Sequence, residues 1–247
     1  MNIIDYAPGD TLLHRLNPIT KLAIAIAIVV ATFTANSFAL LACLLALDLL
    51  IGFYAGIGGR TVKLACAFLV LAAVMFAVQV LVIRTGEPVW GFVTADGLAT
   101  GGRVALRLVA VALPLVLMLT LTRMNDLANA AVEVLHVPYR YAFTFTTALR
   151  FVPVFADEMS AIMEAQTARG VEFDSGNPLK KLRLMLPLAA PLLISSVAKT
   201  DATALAAEQR GFYLRTRASS SKRYPFYGRD VAMLVLAVAL VALGIAF

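Results

Sequence analysis

Residues that carry chemistry are scarce in this chain. It has two cysteines, two histidines and one tryptophan among 247 residues. Cys43 and Cys66 both lie inside apolar runs. They read as small buried hydrophobes, without metal-ligand spacing and too few for a disulfide framework. His14 and His136 stand far apart, and no second histidine, cysteine or carboxylate pair supports a metal site or an acid–base pair. His14 reads as a polar contact at a membrane surface and His136 as a helix-end residue. There is no glycine-rich phosphate loop ending in Lys-Ser/Thr, no nucleophile elbow and no His-Glu zinc motif. Catalytic residues, metals and cofactors are therefore not expected. Acidic charge is also sparse, 15 residues against 21 basic ones. Asp157, Glu158 and Glu164 fall on one helical segment and read as a solvated face with intrahelical pairing. The net charge of +6 does not point to nucleic acid. The basic residues gather between hydrophobic runs and do not interleave with aromatics on a polar surface. Asp5 and Asp10 precede the first apolar run, which argues against a cleavable signal peptide and for a retained N-terminus.

What the chain has in abundance is apolar surface: 61% hydrophobic residues and a mean hydropathy of +0.85. Runs near 20 residues long make it an all-α integral membrane protein. Four spans are expected in residues 1–122, a basic module in 123–229, and a last, slightly short span in 230–247. Asn17-Pro18 caps and starts the first helix. The first two spans read as about 18–35 and 37–57, divided at Thr34-Ala35-Asn36-Ser37. The third covers 62–83 and the fourth 103–122, bent or broken at Pro114. Asp48 lies midway along the second span, so it should face protein or water; a satisfied interhelical contact is favoured over an ion path. Trp90, in the 84–102 loop, suits the interface, and Arg103 and Arg107 can snorkel outward. Asn125 or Asp126 can cap a short amphipathic helix ending before Pro138, with Leu127, Ala131, Val134 and Leu135 on one face.

Fourteen of the 21 lysines and arginines lie in 123–229, four at positions 15, 21, 60 and 63, and three at 84, 103 and 107. The positive-inside rule then places the N-terminus, the 56–63 loop and the basic module in the cytoplasm of an inner-membrane protein. Leu182–Val197 is apolar enough to imitate a span. Pro187, Pro191 and the close flanking charges Lys180, Lys181, Arg183 and Lys199 favour a buried or membrane-surface helix, as Arg150 does for Tyr141–Val154.

Residues 139–217 form the organising stretch. Two long helices are expected, one from Arg140 through Arg150 and Pro153, the other from Pro178 through Pro187 and Pro191. They end in Ala168-Arg169-Gly170 and Gln209-Arg210-Gly211. Arginine in a last turn complements the helix dipole, and glycine just beyond accepts a left-handed conformation. Apolar stripes let the two helices cross and carry both arginines to defined places. A guanidinium at a helix tip offers a planar fork to a carboxylate or carbonyl of a partner.

The chain resembles the transmembrane T component of energy-coupling factor transporters. The resemblance rests on Tyr6, Pro8-Gly9, Leu13-His14-Arg15-Leu16, Pro18 and Lys21; on Ala148-Leu149-Arg150-Phe151-Val152-Pro153, Glu158 and Gln166-Thr167-Ala168-Arg169-Gly170; and on Leu186-Pro187, Pro191-Leu192 and Glu208-Gln209-Arg210-Gly211. It implies that Arg169 and Arg210 are coupling arginines, each docking in one of two cytoplasmic ATP-binding-cassette ATPase subunits. It also implies a separate small membrane subunit that binds a vitamin or a transition-metal ion. Gln209 departs from the alanine usual in the second triplet. Two other classes remain to be weighed. A conventional permease forming its own substrate path would need a polar route, for which only Asp48, Gln79 and the outer arginines offer themselves. A membrane enzyme would need paired carboxylates or histidines at the surface.

Overall fold

The structure is a computed structural model that describes residues 6–90, 93–173, 178–214 and 223–246. Its elements run α1 (Pro18–Thr34), α2 (Phe38–Tyr54), α3 (Gly58–Val82), strands β1 (Pro88–Trp90) and β2 (Val93–Thr94), α4 (Ala95–Leu121), α5 (Met124–Val134), α6 (Tyr139–Ala168), α7 (Pro178–Met185), α8 (Ala189–Gln209) and α9 (Gly228–Ala246). The strands form one small antiparallel hairpin inside an otherwise helical fold. Two units emerge: residues 1–134 with 224–247, and residues 135–223.

The first unit is a helix bundle. Asn17 accepts a hydrogen bond from the Ile19 N–H (3.0 Å) while Pro18 opens α1, the cap expected from the sequence. Thr94 caps α4 through the Gly97 N–H (3.2 Å), so α4 starts well before the expected Arg103. It then runs through Pro114 without a break. The bundle interior is built from three apolar clusters: Leu64, Ala72, Val109 and Leu113; Leu16, Ile24, Ala27, Ile28 and Ala237; and Ala7, Ala55, Ile57, Leu117 and Leu121. At Gly244 of α9 an added Cβ would lie 2.8 Å from the Ala31 carbonyl oxygen of α1. Glycine there lets two backbones touch, as small residues do between membrane helices.

α3, α4 and α9 are long and apolar enough to cross a membrane. α1 and α2, at 17 residues each, reach roughly 26 Å, a little short of the hydrocarbon core. The run Leu182–Gln209 also meets the length and composition of a span, although the sequence argued for a surface helix. Pro187 interrupts its α-helical geometry, and Pro191 does not. Pro187 occupies a 3-10 turn (Leu186–Leu188), and Pro191 sits in the first turn of α8, where a missing N–H costs nothing.

Polar side chains knit one end of the bundle. The Asn17 N–H donates to Asp230 Oδ1 (2.9 Å), the Tyr227 N–H to Asp230 Oδ2 (3.0 Å), and Asn17 Nδ2 to the Tyr224 carbonyl (2.9 Å). Tyr224 donates its hydroxyl to Asp126 (2.9 Å) and its N–H to Glu133 (2.8 Å). Burial, then the bond to Asp126, raises the phenol's pKa. His14 lies between Thr11 Oγ1 (2.7 Å) and the Ala7 carbonyl (3.2 Å), and burial lowers its pKa. Arg107 donates to the carbonyls of Thr32 and Ala35 (3.2 and 2.6 Å), tying α4 to the end of α1 in addition to any outward reach. On α5 the buried residues are Ala128 and Ala130, and Leu135 is exposed; small residues let this helix approach closely, in place of the expected apolar stripe. The Trp90 side chain lies outside the described residues.

In the second unit α6 continues unbroken through Pro153 for 30 residues. The second long segment, expected as one helix, is instead α7, the 3-10 turn and α8. α6 and α8 run in opposite senses. Phe143 near the start of α6 meets Phe212 just past α8 (ring centroids 4.9 Å), while Glu158, further along α6, bonds Ser195 and Lys199 in the first half of α8.

Candidate functional site

The two arginine–glycine tips of the second unit share one geometry. Arg169 (φ −88°, ψ 6°) is the C-cap of α6, and Arg210 (φ −84°, ψ 9°) is the C-cap of α8. Each glycine that follows is left-handed, Gly170 at φ +89° and Gly211 at φ +71°, a conformation that penalises any Cβ. The Gly170 N–H donates to the Thr167 carbonyl and the Gly211 N–H to the Glu208 carbonyl, both at 2.9 Å. The first tip adds the longer bond of a Schellman motif, from the Val171 N–H to the Gln166 carbonyl (3.1 Å). The second continues into a 3-10 turn, Phe212–Leu214. Ala168 and Gln209 are the last helical residues of their segments, so Gln209 leaves the second tip's geometry intact.

Both arginines are exposed, and neither guanidinium has a hydrogen-bond or ion-pair partner among the described residues. An unpaired guanidinium at the carbonyl end of a helix is stabilised by the dipole and keeps all five donors for another molecule.

The surroundings of the two tips differ. Next to Arg210 a cleft of about 850 Å³ opens between α6 and α8; Arg150 and Arg210 both line it, with Tyr139, Phe143, Phe151 and Phe212. Tyr139, Phe143 and Phe212 form an aromatic trio with centroids 4.9 to 6.1 Å apart, which holds the chain beyond α8 against the start of α6. Near the end of α6 a pocket of about 620 Å³ is lined by Ser160, Met163, Thr167, Phe173 and two carboxylates, Glu164 and Glu172, and Arg169 does not line it.

The remaining expected residues serve the scaffold. Pro153 lies exposed on continuous α6, and Pro187 and Pro191 lie exposed where the 3-10 turn passes into α8. Glu158 departs from the solvated, intrahelical pairing read from the sequence: it accepts from Lys199 and Ser195 of α8. The Lys199 bond, then that of Ser195, holds its carboxyl below the usual carboxylate range. Sequence reasoning missed Ser195, Lys199 and the aromatic trio as working parts. The available signal was a lone lysine in an apolar run, at the depth along α8 that faces Glu158. Among the described residues no cluster of three histidines, cysteines or carboxylates forms a metal site.

The model of a family described as "Cobalt transport protein" (CbiQ) matches residues 9–220. The chain is 35% identical to the energy-coupling factor transporter transmembrane protein EcfT of Acidaminococcus fermentans, over 83% of this chain and 81% of that relative. It is 32% identical to EcfT of Lacticaseibacillus paracasei, over 84% and 83%. It is 30% identical to EcfT of Thermosediminibacter oceani, over 99% and 96%. Apolar spans, paired arginine–glycine tips and likeness along nearly the whole length converge: the chain belongs to the CbiQ family and is a transmembrane T component of an energy-coupling factor transporter.

Proposed function

We propose that this protein is the coupling subunit of an importer for a vitamin or a transition-metal ion. It is multi-pass in the inner membrane with a cytoplasmic N-terminus, and it hydrolyses no ATP itself. Two cytoplasmic ATPase subunits take Arg169 and Arg210, one tip each. A separate small membrane subunit binds the cargo. When ATP draws the ATPases together, the tips move and α6 and α8 transmit that motion to the cargo-binding subunit. The single observation that supports this reading is the repetition of one tip, a free, exposed arginine cap followed by a left-handed glycine, on two helices of one unit. A permease that binds cargo itself is less well supported, because Asp48 is buried and lines no continuous polar path.

Arg169→Glu with Arg210→Glu tests the proposal. The double variant should reach the membrane in normal amount, yet co-purify with the ATPases at less than about a tenth of the usual yield, as expected when charged contacts at the core of an interface are reversed. Undiminished co-purification and uptake would sink it.

A further inference from the structure

Pro114 interrupts the hydrogen bonding of α4 at a level where water is excluded. It has no N–H, and its ring pushes away the carbonyl four residues earlier, that of Ala110. Ala110 is 0% exposed, and no side chain among the described residues donates to its carbonyl. The helix continues on both sides, so this carbonyl lacks its usual helix donor inside an intact element.

Asp48 on α2 is the complementary anomaly. It too is 0% exposed, and neither carboxyl oxygen has a partner among the described residues. It lines a pocket of about 50 Å³ with Pro114, Leu117 and Met118 of α4. Leu45 and Leu49, which bracket Asp48, pack against the cluster containing Val109 and Leu113. Asp48 thus shares a small cavity with Pro114, which closes the turn of α4 that begins at Ala110. Lys21 lines the same pocket, but its ammonium donates to the His14 and Leu121 carbonyls at 3.0 Å each.

A carboxylate and a carbonyl are both acceptors, and no bond joins them unless the acid carries a proton. We propose that Asp48 is held as the neutral carboxylic acid and donates that proton to the Ala110 carbonyl, replacing the helix bond that Pro114 removes. One proton satisfies both groups and avoids an unpaired charge at membrane depth. It also staples α2 to α4 at the point where α4 is weakest.

Isotope-edited infrared spectra of the full-length protein in phosphatidylcholine vesicles at neutral pH test the proposal directly. They should show a protonated-carboxyl band that disappears in Asp48→Asn. Thermal unfolding supplies an independent readout. Asp48→Asn, whose amide still donates, should melt within a few degrees of the parent. Asp48→Leu should melt well below it. In a Pro114→Ala background, where residue 114 regains its N–H, the drop caused by Asp48→Leu should shrink by at least half. Absence of the band, as for an ionised Asp48 that draws on Lys21, would overturn the proposal. So would an equal drop in both backgrounds, or Asp48→Asn as damaging as Asp48→Leu. If Pro114→Ala does not yield folded protein, the infrared difference decides.

Discussion

The two units spend their apolar residues in opposite ways. The first buries Ile28, Leu41 and Leu113 completely and seals one end with Asn17, Asp126, Tyr224 and Asp230. In the second, α8 has no buried residue along 21 positions, and Leu193, Ile194, Val197 and Leu205 are more than half exposed. Its helices meet at a few points only: an ion pair, a serine and three aromatic rings. A bundle that is satisfied internally has a fixed shape. A pair of helices with few mutual contacts and much free apolar surface depends on other surfaces, lipid or protein, to define its shape.

Substitutions can break that contrast. The largest change in stability should come from Asp230→Ala in the first unit. It strands the buried N–H of Asn17, at about 1–3 kcal/mol, frees the part-buried N–H of Tyr227, and should lower the melting temperature of the whole bundle. A melting temperature within a degree of the parent would show the knot to be dispensable. Next come the tips. Gly170→Ala and Gly211→Ala force a Cβ into left-handed backbone, costing about 1 kcal/mol or more. Hydrogen exchange should quicken in the last turns of α6 and α8 while the first unit's exchange stays unchanged; spread of the effect into the bundle would mean that the units are not energetically separate.

A smaller effect should follow pH. Burial in the folded state lowers the His14 pKa below the ordinary histidine value. Its contribution is therefore complete above the unfolded pKa and is lost as pH falls through the ordinary histidine range toward the folded value. A melting curve taken from about pH 7.5 to 5.5 should decline, and His14→Gln should flatten that decline. The smallest change should come from Glu158→Gln. The pair with Lys199 is partly exposed, and pairs of that kind contribute little in water. The melting temperature should barely move, but a cross-link between engineered cysteines at 154 and 201, a turn away on the same two helices, should slow if the contact sets the crossing of α6 and α8. An unchanged rate would count against that role.

Much of this was legible in the sequence. Asn17-Pro18, the Ala35–Ser37 break, the long apolar runs and both arginine–glycine ends mark local structure through caps, breakers and periodicity, which act over a few residues. What was hidden depends on distant partners. Thr94 as the cap of α4 was masked by Gly101-Gly102, which read as the end of a loop. Pro114 read as a bend or break, yet α4 runs through it, because packing on either side outweighs one lost bond. Glu158 looked like part of a charged face, since its partners lie 37 and 41 positions away. At the tips, the sequence supplied the arginines but not the aromatic trio that holds the chain beyond Arg210 in place.

The bond from Asn17 to Asp230 joins residues 213 positions apart. During synthesis at about 5–20 residues per second, roughly ten to forty seconds separate their appearance. Throughout that interval the N–H of Asn17, the cap of α1, lacks its Asp230 partner and the Ala31 face stays uncovered, and every intervening span must be threaded before α9 arrives to close it. The bundle is finished last at the place where it began, so its assembly is vulnerable for nearly the whole of translation.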